Sequence, residues 1–141
     1  MSPNDGYSAA ATPDGTWLEF LGRGEVRLPR CEDCGYVRPP ASFACPECLG
    51  ERTRWIASAG TGVVEGFTWY LQPFDPRFTE VPYNAALIRL DEGVRMIATV
   101  LDVAFGELAV GQRVRAEIRT GLRGRPVVDF RCEPPRAGDI R

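Results

Sequence analysis

The chain has 141 residues, 44% of them apolar and 26% charged, with a formal charge of −2, which bounds it to one ordinary domain or to a small stapled module joined to a compact one. No apolar run approaches the roughly 18 residues that cross a bilayer, and the mild acidity excludes nucleic-acid binding driven by bulk charge. Neither histidine nor lysine occurs in the sequence, so there is no imidazole base, no Schiff-base amine and no phosphate-loop lysine to support enzymatic chemistry.

Residues 1–12 are small, polar and proline-containing, which predicts a disordered lead. They hold neither a basic start nor an apolar stretch, so no export signal is read and a cytoplasmic setting is expected. Residues 13–58 read as a helix followed by a metal module. Thr16 with Glu19 three residues later reads as a capping box, and Trp17, Phe20 and Leu21 fall on one helical face before Gly22 and Gly24 weaken the pattern. Trp17 and Phe20 either pack on their own domain or meet a partner, and the sequence leaves both readings open.

Two cysteine pairs follow, Cys31-Glu-Asp-Cys34 and Cys45-Pro-Glu-Cys48, separated by residues 35–44. Each Cys-x-x-Cys turn brings two thiolates to one ion, and two such knuckles complete a tetrahedron with no open position. A closed site of this kind builds structure. In a reducing compartment the spacing favours metal over disulfides, and one structural zinc is expected at Cys31, Cys34, Cys45 and Cys48, with iron in a rubredoxin-like site as the competitor. Four thiolates around zinc add a charge of about −2 to the chain's own. Residues 26–55 therefore read as a zinc ribbon: a short strand, the first knuckle, Pro39 and Pro40, the second knuckle and a return strand. Gly35 and Gly50 are expected to supply positive φ near the tight turns, and Tyr36, Phe43 and Trp55 to pack around the metal.

Over residues 59–134 the pattern changes to period two. Val63, Phe67, Trp69 and Leu71 share one face of a first strand, a second spans residues 83–90, and Asp91-Glu92-Gly93 turns tightly into a third over 94–101. After a connection with little room for a helix comes a strand with Val114, Ala116 and Ile118 inward and Arg113, Arg115, Glu117 and Arg119 outward. A last strand over 127–132 sets Val128, Phe130 and Cys132 on one face, which would bury the fifth cysteine. Three strands in a meander and two after a break predict a mainly β architecture with a closed five-stranded barrel of the OB type, and residues 135–141 form a tail. The loop 72–82 carries Pro73, Phe74, Pro76, Phe78 and Pro82. It reads either as a stiffened cover for one barrel end or as a docking surface for a partner or an acyl chain. Arg113 and Arg115 read either as a solvated strand face or as contacts for the phosphates of nucleic acid or coenzyme A. No serine has a base to activate it and no carboxylates pair convincingly, so catalysis by this chain alone is not expected.

The order of parts resembles the acyl-CoA-associated proteins with an N-terminal rubredoxin-like zinc ribbon and a C-terminal OB fold. The resemblance spans the helix Trp-Leu-Glu-Phe-Leu, the segment Leu28-Pro-Arg-Cys-Glu-Asp-Cys-Gly-Tyr, Cys45-Pro-Glu-Cys48, the strand opening Gly60-Thr-Gly-Val-Val and the run from Pro82 to Gly93. It implies a noncatalytic accessory subunit. Members accompany thiolase-like enzymes, retro-aldolases of steroid side-chain degradation, acyl-CoA hydratases and acyltransferases. The partner would be a separate thiolase-like or aldolase catalytic polypeptide in a hetero-oligomer, with a coenzyme A thioester near the interface. Two alternatives stand beside this reading: an OB barrel that holds single-stranded nucleic acid, and a rubredoxin-like iron electron carrier.

Overall fold

A computed structural model of the chain describes residues 13–40, 44–74, 76 and 80–134. The expectations for residues 1–12, for the tail 135–141, and for Phe43 and Phe78 lie outside the described residues. The chain divides into two compact units, Met1–Ser58 and Ala59–Arg141.

In the first unit, α1 spans Pro13–Gly22. Proline suits the first helical turn because its missing N–H is an orphan there anyway, so the helix begins ahead of Thr16. Thr16 lies inside it rather than at its cap, which corrects the capping box read from the sequence. The helix is closed off by Gly24, two residues past its end, whose φ of +79° is easy only for glycine, and the amides of Gly24 and Glu25 donate to the carbonyls of Leu21 and Phe20 at 2.9 Å each. Leu21 on the helix and Leu28 on the next element are both buried. Strand β1, Arg27–Cys31, pairs antiparallel with β2, Thr53–Ala57, setting Leu28 opposite Ile56 and Cys31 opposite Thr53. Tyr36, expected in this core, is exposed, and Arg38 is buried instead. Its guanidinium donates to the Thr53 hydroxyl at 2.6 Å, so burial does not strand the charge without hydrogen bonds.

The second unit is one six-stranded sheet. Its strands are β3 (Thr61–Tyr70), β4 (Tyr83–Leu90), β5 (Arg95–Ala98), β6 (Val100–Leu101), β7 (Arg113–Thr120) and β8 (Pro126–Cys132), in the order β5-β4-β3-β7-β8-β6. All ladders are antiparallel except β6 against β8. The segment expected as one third strand is divided at Thr99, where the chain changes partner. Thr99 donates its amide to Asp129 Oδ1 at 3.3 Å and accepts from the Phe130 amide at 2.9 Å. The two ends of the sheet are thus consecutive pieces of one segment, and the sheet curls to bring them together. No ladder joins β5 to β6 among the described residues, so the expected closed barrel of five strands is corrected to a curled sheet of six.

Asn84 works at this seam. It is buried, and its side chain imitates a strand neighbour: the amide nitrogen donates to the Val100 carbonyl and the oxygen accepts from the Val100 amide, both at 2.8 Å. The alternation along β4 places Asn84, Ala86, Ile88 and Leu90 inward. Opposite them the register of β3 shifts between Val64 and Gly66. This β-bulge reverses the alternation: Val64 pairs with Ile88, and beyond the bulge Phe67 pairs with Ala86 and Trp69 with Asn84. Val64 is therefore the buried residue rather than Val63, and Leu71 lies past the strand end, exposed. Gly62 must be glycine, since a Cβ there would run into the Arg89 carbonyl of the neighbouring strand. In β8, Val128 and Phe130 are buried but Cys132, at the strand's end, is exposed, which corrects the expectation that it is buried. Among the described residues no helix is long and apolar enough to cross a membrane.

Candidate metal centre

The strands and turns of the ribbon bring four sulfurs together. Cys31 ends β1, and its amide donates to the Tyr36 carbonyl at 2.8 Å, closing the first knuckle; the Cys45 amide does the same with the Gly50 carbonyl at 2.9 Å in the second. The Sγ atoms of Cys31, Cys34, Cys45 and Cys48 all lie within 4.8 Å of one another. The pairs Cys31–Cys48 and Cys34–Cys45, one sulfur from each knuckle, approach to 3.5 Å. A tetrahedral ion with metal–sulfur bonds of about 2.3 Å spaces its ligands about 3.8 Å apart, so the donor set fits a single ion. Each knuckle gives one buried thiol, Cys31 or Cys45, and one exposed, Cys34 or Cys48.

The electrostatics match a site that wants a cation. The amides of Cys34 and Asp33 lower the Cys31 thiol to about 7 against the opposing effect of burial. The Gly50 amide pulls the Cys48 thiol down, and donates to its sulfur at 3.4 Å, yet the adjoining Cys31 and Cys34 thiols and burial outweigh it and push Cys48 up to about 12. Four negative sulfurs cannot crowd together without a positive charge between them, and a coordinated metal supplies it.

The two knuckles differ in one respect. Gly35 follows Cys34 with φ +81° and Leu49 follows Cys48 with φ +64°. Their amides make the same turn-closing bond, to Cys31 at 2.9 Å and to Cys45 at 2.8 Å. The positive φ expected at Gly50 therefore falls on Leu49. Position 50 is crowded for another reason: a Cβ there would displace the Asp33 carboxylate and lie 3.3 Å from Cys48 Sγ. Asp33 is itself held by Arg52, whose Nε donates to it at 3.1 Å.

The other candidate residues are placed as follows. Phe20 packs inside its own unit, tilted against Trp55 at 5.8 Å and capped by Arg27, whose guanidinium lies 5.1 Å from the ring centre; Trp17 is half-buried. Phe74 is 72% exposed, resting edge-on against Tyr70 at 6.3 Å while Tyr70 stacks on Tyr83 at 4.8 Å. Arg113 pairs with Asp91 at 3.2 Å and Arg115 with Glu133 at 3.0 Å. Arg119 pairs with Asp129 at 3.2 Å, and Arg131 with Glu117 at 2.9 Å and with Asp102. The arginines of β7 thus face carboxylates of their own unit. At one end of the curled sheet, Trp69, Tyr83, Val100, Arg119 and Asp129 border a cleft of about 680 Å³, and the Trp69 indole N–H there is buried without a partner among the described residues.

Sequence reasoning missed three residues. Asn84 carried a signal, being the polar member of an inward-facing alternation. Arg38 and Leu49 carried none, because burial of a guanidinium and the backbone angle of a leucine are set by contacts distant in sequence.

Comparison with known proteins agrees with this architecture. Residues 55–119 match the family described as the ChsH2 C-terminal OB-fold domain. A DUF35 domain-containing scaffold protein of Methanocaldococcus jannaschii is 32% identical over 108 residues, which are 74% of each chain. A probable enoyl-CoA hydratase alpha subunit of Thermomonospora curvata is 31% identical over 98 residues, 70% of this chain but only 30% of that relative. Among solved structures, a chain of the Ltp2-ChsH2(DUF35) aldolase superposes with a TM-score of 0.77 at 27% identity, covering 84% of this chain and 93% of that one.

Proposed function

This chain belongs to the ChsH2/DUF35 family, and from that premise we propose that it is a noncatalytic accessory subunit of an enzyme complex acting on acyl-CoA. The observation that carries the proposal is the likeness, over 84% of this chain and 93% of the other, to a chain of a solved aldolase whose name joins Ltp2 to ChsH2(DUF35). The partner in this reading is a thiolase-superfamily enzyme that makes or breaks a carbon–carbon bond in the thioester, and it supplies the base, the nucleophile and the oxyanion donors. This chain supplies rigid surfaces. Its ribbon holds one zinc at Cys31, Cys34, Cys45 and Cys48, where a closed tetrathiolate leaves no position for substrate and the ion's role is to fix the fold. Thiols kept as metal ligands suit a reducing cytoplasmic setting.

The exposed ring of Phe74 on a proline-rich loop is the best placed apolar contact in the second unit for partner or acyl chain. The cleft bordered by Tyr83 and Trp69, whose indole N–H has no acceptor among the described residues, is where the thioester could border this subunit. The ion pairs along β7 weigh against a basic strip for nucleic acid.

The reading is tested by purifying the untagged chain from its native host, identifying what accompanies it by mass spectrometry and counting metal on the same sample. An acyl-CoA carbon–carbon bond enzyme with about one zinc per chain is the expected result. Recovery of the chain alone, or with nucleic acid, overturns it.

A further inference from the structure

Leu49 combines two unfavourable features. Its backbone sits at φ +64°, a region where an L side chain crowds the following carbonyl, and its side chain is 77% exposed, so it packs on almost nothing in its own unit. The same chain shows how this geometry is met without strain: at the equivalent position of the first knuckle stands Gly35, with the same amide hydrogen bond and φ +81°. Neither packing nor turn geometry accounts for a leucine here. Strain of this kind, held in place by surrounding structure, points to function.

We propose that Leu49, flanked by the exposed Glu47 and Glu51, is the anchor by which the metal-braced second knuckle docks into the catalytic partner. The inference rests on the accessory-subunit reading. The charge pattern fixes the chemistry of the receiving surface: an apolar pocket large enough for one leucine, rimmed by basic side chains that face the two glutamates. The metal and the turn hold the tip in one conformation, so little freedom is lost on binding.

The test uses the full-length, metal-loaded chain and the catalytic partner recovered with it. Leu49→Gly and Leu49→Asn both accept a positive φ, so both variants should melt at the same temperature as the native chain or higher and keep their metal. Their affinity for the partner should fall at least tenfold, as expected for withdrawing a leucine from an apolar pocket, whereas Leu49→Met, which keeps the apolar anchor, should bind within about threefold. The Glu47→Lys, Glu51→Lys double variant should also bind more weakly, most clearly at low salt. Unchanged affinity in Leu49→Gly and Leu49→Asn overturns the docking inference and leaves the subunit reading standing. Lost binding with a lowered melting temperature in both variants also overturns it, since Leu49 would then serve the fold. If the native chain recovers no acyl-CoA enzyme, the subunit reading fails and the inference fails with it.

Discussion

Replacing Asn84 with alanine removes the side chain that substitutes for a strand neighbour at the seam between β4 and β6. The Val100 amide and carbonyl each lose a 2.8 Å hydrogen bond, and with Val100 only 2% exposed water from the adjoining cleft replaces them at most in part. A buried backbone group left unsatisfied costs about 1–3 kcal/mol, so the pair costs roughly 2–6 kcal/mol. That is a large share of the ~5–15 kcal/mol that holds a domain folded. At about 4–8 °C per kcal/mol for a domain of this size, the second unit should melt at least roughly 8 °C lower. Differential scanning calorimetry reads the shift directly, and hydrogen exchange at the Val100 amide should accelerate in parallel. The metal content should not change, because Asn84 and the four cysteines belong to different units. A melting temperature lowered by less than about 3 °C, or a Val100 amide as protected as before, would refute the view that this side chain closes the seam.

Other outcomes follow from the same structure. Cys31→Ser should lose the metal and unfold the first unit while the second still melts cooperatively, leaving a single transition in calorimetry; stoichiometric metal in that variant would contradict the four-sulfur site. Gly62→Ala should destabilise by about 1–3 kcal/mol, because its Cβ meets the backbone of β4. Gly66→Ala, with nothing within 4 Å of its Cβ, should stay within about 1 kcal/mol of native in chemical denaturation. Phe74→Ala should move the melting temperature by no more than about 4 °C, since the ring is largely exposed, yet weaken the complex or its turnover; full activity would return that loop to a mere cover. Burial outweighs the Thr99 amide and the Arg119 guanidinium and holds the Asp129 carboxyl above its ordinary value. The folded state therefore binds this proton more readily than the unfolded chain, a contribution present at low pH and lost as pH rises through the raised value. Asp129→Asn should accordingly raise the melting temperature at neutral pH and lose that advantage below about pH 3.5, and a difference independent of pH would exclude the burial explanation.

The parts legible in the sequence were those encoded locally. A Cys-x-x-Cys turn needs only four consecutive residues to set two thiols side by side, so the candidate metal ligands could be read directly. Strand β4 and the Asp91-Glu92-Gly93 turn were equally plain, because alternation and a glycine at φ +93° are short-range properties. The misreadings share a cause in long-range pairing. Val63 was preferred to Val64 because nothing in β3 itself announces a bulge; the register shift is visible only against β4. The break at Thr99 depends on Asp129 and Phe130, some thirty residues away along the chain. Cys132 obeys the alternation of β8 and is nonetheless exposed, since the strand's last residue outruns its cover. Proline at position 13 was a local signal that competed with Thr16 and prevailed, because it needs no capping partner for its nitrogen.

The ion pairs on the outer face of the sheet have a consequence for how this unit meets other molecules. Arg113, Arg115, Arg119 and Arg131 each lie within hydrogen-bonding distance of an opposite charge from the same unit. Paired at such short range, their fields cancel over distances well inside the roughly 8 Å Debye length of physiological saline. To a molecule approaching through solvent that face is electrically quiet, despite its many arginines. Encounters through it should therefore proceed at the unsteered rate of about 10⁵–10⁶ M⁻¹s⁻¹, nearly indifferent to added salt, and selectivity there must come from shape after contact.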